Sequence, residues 1–216
     1  MQSAMLRVPV QERAQKTRAD VLAAAARAFA EHGYERTNAR VIAEFAGVAT
    51  GTFYQYFQDK DAALAEICVE RTRFLAAESD RIVLELPTDV VVAWRAYDAI
   101  ERVVELSLQY HRRDPRLHAV IEERRVSDSR IGEIMRTSEE HSIRKLAEAL
   151  TFFQFDGDVE ATAFMMFSLL EGAIHAHVLS HAVLDDLRFV TALVEALWRI
   201  GTPASLLSHL HANPAR

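Results

Sequence analysis

The sequence predicts an all-α protein of nine or ten helices, and three observations carry that prediction. Apolar residues recur at three- and four-residue spacing along nearly the whole chain, with no strand-like alternation. Only 7 Gly and 5 Pro occur in 216 residues, few enough for a chain rich in helix. Hydrophobic residues make up 50% of the chain, enough for a sizeable core in one or two helical domains.

Residues 1–10 lack periodicity and include Pro9, so they read as a loose arm. A first helix is expected from Gln11 to His32, with the stripe Val21, Leu22, Ala25 and Phe29 covering the next two helices and Gly33 as its stop. From Thr37 a second helix carries Val41, Ile42 and Phe45 at helical spacing, and Gly47 supplies a tight turn needing positive φ. A short third helix runs from Thr50 to Phe57. With Phe53 and Phe57 on the core side, Gly51, Thr52 and Gln55 fall opposite, and Tyr54 and Tyr56 flank them. Helix, glycine turn and short helix read as a helix-turn-helix, the third helix suiting a major groove and the two phenols its phosphate walls. A unit of this size cannot bury four aromatics on opposite faces, so the phenylalanines are assigned to the core and the polar-tipped tyrosines to the surface.

The stretch GVATGTFYQYFQDKDAAL resembles the signature of the tetracycline-repressor (TetR) family of bacterial regulators, with Gly47, Gly51, Thr52, Tyr54, Tyr56, Phe57 and Lys60 in register. The resemblance covers Thr17 to Ile67. It departs from the family at Ala49, where a capping Ser is usual, and at Asn38-Ala39, where Thr/Ser-Val is commoner. A lost cap typically costs ~1 kcal/mol. The DNA-contacting set it implies is Thr37, Arg40, Thr50, Gly51, Thr52, Tyr54, Gln55, Tyr56 and Lys60, the last adding charge and helix-terminal N–H groups for phosphate.

A fourth helix is expected from Asp59-Lys60-Asp61 to Val83, forming a lever between a DNA-binding domain at 11–59 and a ligand-binding and dimerisation domain at 60–216. Pro87-Thr88-Asp89 restarts the chain as a helix to Arg112, with Thr88 or Asp89 as its cap, and His111-Arg112-Arg113-Asp114-Pro115 ends it. A short helix to Arg125 comes next. Ser127 or Asp128 caps another, ending near Phe153 or Phe155. Asp156-Gly157-Asp158 opens one to His181, Asp185-Asp186 one to Ile200, and Thr202-Pro203 a last short piece. The apolar faces of the helices near 158–181 and 186–200, with Phe167, Leu170, Ile174, Leu193, Leu197 and Trp198, are expected to form a two-fold seam between copies.

The formal charge of −6 divides into +2 over residues 1–60 and −8 beyond, a DNA-facing end and a body that repels DNA. The single cysteine, Cys68, reads as a buried inert thiol in a reducing, cytoplasmic setting. Residues 161–184 hold only Glu171 as a formal charge and could span a bilayer by length. A central Glu beside His175, His177 and His181 disfavours lipid, and a helix buried between subunits explains the composition, so no membrane association is expected. No HExxH, GxSxG or phosphate loop points to catalysis. His175 and His177 lie about 200° apart on their helix, so one helix cannot supply three metal ligands, and neither a metal site nor a cofactor is expected.

The family resemblance implies a dimer on palindromic double-stranded operator DNA, acting as a repressor, and a small-molecule effector bound among the body helices. Trp94, Tyr97 and Glu101, one face at i, i+3 and i+7, are the expected lining with Phe167, Glu171 and His175. The departures at Asn38 and Ala49 leave one alternative, a ligand- or metal-binding helical protein with a degenerate DNA-binding unit. Arg124, Arg125 and Arg130 are read as a solvated charged face rather than an anion site.

Overall fold

A computed structural model describes residues 10–84, 92–180 and 183–202. These form nine helices and no strand: α1 (Val10–Arg36), α2 (Ala39–Ala46), α3 (Thr50–Tyr56), α4 (Lys60–Leu84), α5 (Val92–Arg113), α6 (Pro115–Ser127), α7 (Ser129–Phe152), α8 (Val159–Leu179) and α9 (Asp186–Gly201). The arm before residue 10, the expected cap at Thr88 or Asp89, His181 and the piece opened by Pro203 lie outside the described residues.

Most helix limits are set by the chemistry of their ends. Gly33 breaks α1 with φ 74°, a conformation open to glycine at little cost. Asn38 caps α2, its side-chain oxygen accepting from the N–H groups of Arg40 and Val41 at 3.0 and 3.1 Å. Gly47 closes that helix at φ 67°, and the N–H of Val48 reaches the Ala43 carbonyl at 3.0 Å. Asp128, Asp158 and Asp185 cap α7, α8 and α9 by accepting from backbone N–H groups two or three residues ahead. Pro115 stands at the first position of α6, where its missing N–H costs nothing.

The chain divides into two compact units, Met1–Glu70 with Arg116–Gly132, and Arg71–Pro115 with Glu133–Arg216. This division differs from a single boundary at residue 60. The first eleven residues of α4 and most of α6 pack with the N-terminal helices, which a linear reading cannot show. Within that first unit α1 packs on α2 and α2 on α3. Val21, Leu22, Ala25, Phe29, Ile42, Phe53, Phe57, Leu64 and Cys68 are buried together with Leu117 and Ile121 of α6. Tyr34 joins these parts. Its ring stacks on Phe29 at 6.1 Å, carries Lys60 and Arg124 over its faces at 3.9 and 4.0 Å, and its hydroxyl donates to Asp61. Burial and then the Asp61 carboxylate push the Tyr34 phenol up to about 12.

In the second unit α5, α8 and α9 pack against one another around Val104, Leu108, Ala163, Met166, Ile174, Phe189, Leu193, Val194 and Leu197, with Leu150 of α7. Ile174, Leu193 and Leu197, expected at a seam between copies, are therefore core residues of one chain. Trp198 packs against Tyr97 at 5.8 Å. The apolar face left exposed on α8 is a different one, Phe164, Met165 and Leu179, with the small residues Ser168, Gly172 and Ala176 between them. α8 is the one described helix long and apolar enough to cross a membrane by length and composition. Leu187 of α9 is also exposed.

Candidate nucleic-acid interface

The third helix sorts its side chains as its spacing requires. Phe53 and Phe57 are buried, with ring centroids 5.7 Å apart, and Phe53 has no exposed surface. Thr50, Gly51, Tyr54 and Gln55 are exposed, while Thr52 and Tyr56 are half-buried. Tyr54 is 59% exposed, its ring edge-on to Phe53 at 5.4 Å, so packing fixes the base of the ring and leaves the phenol free to reach outward. Thr50, Gly51, Thr52, Tyr54, Gln55 and Tyr56 thus occupy one short helix.

Gly51 has no internal reason to be glycine. Beyond its own helix backbone and its two neighbours, no atom lies within 4 Å of where a Cβ would stand. Glycine inside a helix costs roughly 0.5–1 kcal/mol relative to alanine. The side chain is missing on the face that also presents Gln55.

Three expected contact residues stand differently. Thr37 is buried, and its hydroxyl donates to the carbonyls of Gly33 and Ala28 at 2.7 and 3.1 Å. It closes the end of α1, where an unsatisfied carbonyl would otherwise be buried, and its side chain is not available to DNA. Arg40 is exposed and paired with Glu44 one turn on, at 2.9 Å. A solvated pair of this kind is weak, so a phosphate can compete for the guanidinium. Lys60 donates to the Tyr34 carbonyl at 2.9 Å and lies over its ring. The N-terminus of α4 is already capped by the Asp59 carboxylate, which accepts from Ala62 N–H at 2.7 Å. Lys60 therefore braces the unit rather than pointing freely at solvent.

Ala49 leaves α3 without a side-chain cap. Its backbone is extended, at φ −69° and ψ 147°, a conformation in which a serine hydroxyl can accept from the N–H groups two or three residues on. Ala49→Ser is expected to stabilise the first unit by about 1 kcal/mol, measured by urea unfolding followed by helical circular dichroism. No gain would mean that the end of α3 is held by its tertiary contacts alone.

The residue range 21–67 matches the family model for bacterial regulatory proteins of the tetR family. The chain is similar to the tetR family over this N-terminal segment. It is 29% identical over 99 residues to the HTH-type transcriptional repressor Rv1474c of Mycobacterium tuberculosis, spanning 45% of this chain and 52% of that one. Over 49 residues it is 49% identical to the HTH-type transcriptional regulator TtgR of Pseudomonas putida, 23% of each chain. The chain thus spans about half the length of the first of these curated relatives. The whole fold is similar to that of a Mesorhizobium loti protein described as a TetR-family transcriptional regulator. Its TM-score is 0.74 at 16% identity, covering 87% of this chain and 96% of the other. The strongest likeness to tetR-family sequences thus falls on the helices that present Gly51, Tyr54 and Gln55.

The second unit contains a cavity of about 130 Å³ bounded by α4, α5, α7 and α8. Leu75, Val103, Leu146, Phe167 and Leu170 supply its apolar wall, and Asp80, His141, Lys145 and Glu171 its polar groups. Nε2 of His141 stands 3.4 Å from Asp80 Oδ2, tying α7 to α4. Phe167 and Glu171 are on this wall as expected for lining residues, and His175 lies one turn from Glu171 with Nε2 3.6 Å from Oε2. Tyr97 is placed elsewhere, against Trp198 and the core, and Glu101 is exposed. The face of Tyr97 and Glu101 turns toward α9 and then to solvent rather than toward this cavity. The side chain of Trp94 lies outside the described residues. His177 is engaged by Asp186 at 3.0 Å and Arg112 at 3.3 Å and stacks on Phe189, and this buried setting pulls its imidazole below the ordinary range. Arg124 pairs with Asp128 at 3.3 Å and Arg125 with Glu122 at 3.9 Å, so these arginines are spent on neighbours.

Sequence reasoning missed His111. It is buried on α5, its Nδ1 2.7 Å from the Ser107 carbonyl and its Nε2 3.6 Å from Glu171 Oε2. Burial pulls this imidazole down, but the Glu171 carboxylate and the Ser107 carbonyl outweigh burial and raise it above the ordinary value. One signal was present. His111 continues the stripe of Val104 and Leu108 at i, i+4 and i+7, which places a polar ring on a buried face.

Proposed function

We propose that this chain is a sequence-specific DNA-binding transcriptional regulator. It acts in the cytoplasm as a homodimeric repressor at a palindromic operator, and a small-molecule effector releases it. The observation that carries the reading is Gly51, an exposed helix glycine beside Gln55 and Tyr54 whose missing side chain serves no neighbour in the chain. Close approach of the helix start to a groove floor accounts for it, Gln55 pairing with a base edge and the tyrosines reaching phosphate. The repressor sense is taken from relatives such as Rv1474c and the AcnR repressor of Corynebacterium efficiens.

Gly51→Ala separates this reading from a structural one. The added methyl group favours helix, so the free protein gains roughly 0.5–1 kcal/mol. Operator affinity is expected to fall at the same time, for every sequence alike. Thermal unfolding and gel retardation on one preparation measure the two effects. A variant that is both more stable and fully competent in DNA binding would remove Gly51 from the interface.

The dimer is supported by the uncharged α8 stripe of Phe164, Met165, Ser168, Gly172, Ala176 and Leu179, whose small central residues allow a second copy of the helix to approach closely. An effector in the cavity touches α4 directly through Leu75 and Asp80, and α4 begins four residues after α3 ends. To regulate, it must favour one setting of that helix over another. A hundredfold loss of operator affinity corresponds to a coupling of ~2.8 kcal/mol, returned as a hundredfold loss of effector affinity on the operator.

A further inference from the structure

Three ligand-type side chains of the second unit converge beside the cavity. His111 comes from α5, and Glu171 and His175 lie one turn apart on α8. Nε2 of His111 and Nε2 of His175 each stand 3.6 Å from the same carboxylate oxygen, Glu171 Oε2, with the imidazole centroids 5.0 Å apart. A contact of 3.6 Å is beyond ordinary hydrogen-bond range, roughly 2.7–3.2 Å. Two ligand atoms held at ~2.0–2.1 Å by a tetrahedral ion, in contrast, stand roughly 3.3 Å apart, so each of the two histidine–carboxylate contacts is within a few tenths of an ångström of that spacing. The orientation of His111 is fixed in the sense a metal requires. A carbonyl only accepts, so the 2.7 Å contact to Ser107 makes Nδ1 the donor and turns Nε2 to Glu171. His111 is 2% exposed, which limits water as a competitor for that nitrogen.

We propose that His111, Glu171 and His175 bind a first-row divalent transition ion of the zinc, cobalt, nickel or iron(II) type. Two imidazoles and one carboxylate suit these ions and not magnesium or calcium, which take oxygen ligands. Helical spacing on α8 alone cannot supply three ligands, which is why the sequence points to no metal site. The third comes from α5. Glu171 also lines the cavity, so an ion bound there borders it. Arg71, seated over the Tyr110 ring at 4.6 Å, is a neighbouring cation that weakens the site without occupying a ligand position.

The test is cobalt(II) titration of the EDTA-stripped full-length protein, read by the visible d–d bands of a low-coordinate site and followed by displacement with zinc. No DNA is present, so failure of the regulator reading does not affect the outcome. The expected result is saturation at one ion per chain, insensitivity to excess magnesium, and affinity reduced more than ~100-fold in both Glu171→Gln and His175→Gln, a larger loss than outer-shell changes give. His175 keeps a quarter of its side chain exposed, so its variant folds, as circular dichroism will verify. His177→Gln, whose ring is held by Asp186 and Arg112, should bind as wild type does. No stoichiometric uptake, or uptake unchanged in the Glu171 and His175 variants, overturns the proposal.

Discussion

Phe53→Ala is expected to destabilise the N-terminal unit by about 3–5 kcal/mol, enough to unfold a small helical domain under ordinary conditions. Phe53 has no exposed surface and packs on Phe57 beneath the outward face of α3, so its removal leaves a cavity under that helix. Its neighbour Tyr54 is 59% exposed, and Tyr54→Ala should change stability by no more than about 0.5 kcal/mol while weakening DNA binding. Urea unfolding separates the two, and the contrast is the informative result. Comparable losses of stability from both would mean that the phenol, too, is part of the core.

Ser168→Arg is expected to convert the proposed dimer to monomer. Ser168 lies exposed in the middle of the uncharged α8 stripe, between Phe164 and Met165 on one side and Gly172 and Ala176 on the other. An arginine there costs little in the isolated chain. Between two copies it would be a buried charge facing its own symmetry mate, with a penalty of several kcal/mol, ~3–5 for an uncompensated charge. That raises the dimer dissociation constant at least ~100-fold. Sedimentation equilibrium at micromolar concentration reads it directly, and operator affinity should fall with it because each half-site is then bound alone. A variant that sediments as wild type would place the seam on another face.

Helices, their breaks and the inside-outside split of α3 are legible in the sequence because each depends on residues within two turns of one another. Gly33, Gly47, Asp128, Asp158 and Asp185 act on their own helix ends, and Phe53 with Phe57 needs only the 3.6-residue period. The sequence misleads where the partners are distant in the chain. Lys60 is held by Tyr34, twenty-six residues earlier, and Thr37 by the carbonyl of Ala28. Ile174, Leu193 and Leu197 look like seam residues because an apolar face does not say whether a helix of the same chain or of a second copy covers it. On α8 almost every position is apolar, so only packing tells the buried row of Ala163, Met166 and Ile174 from the exposed row of Phe164 and Met165. The cavity wall is half legible for the same reason. Phe167 and Glu171 line it, whereas the face of Tyr97 and Glu101 turns away; beside the cavity, His111 is invisible as a partner of Glu171 until α5 meets α8.

Regulation of transcription by this chain requires that Gly51, Tyr54 and Gln55 form one reading surface, presented twice by a dimer. Selection of bound duplexes from random DNA, with the purified wild type and with Gln55→Ala, decides the matter. The expected result is enrichment of a palindrome with half-site centres one helical turn, about 10 base pairs, or a multiple apart. In the Gln55 variant preference should relax at one base pair in each half-site, for a loss of ~1–3 kcal/mol. Failure to enrich any sequence at low salt, or an enriched site without two-fold symmetry whose base preferences are the same in both proteins, would contradict it.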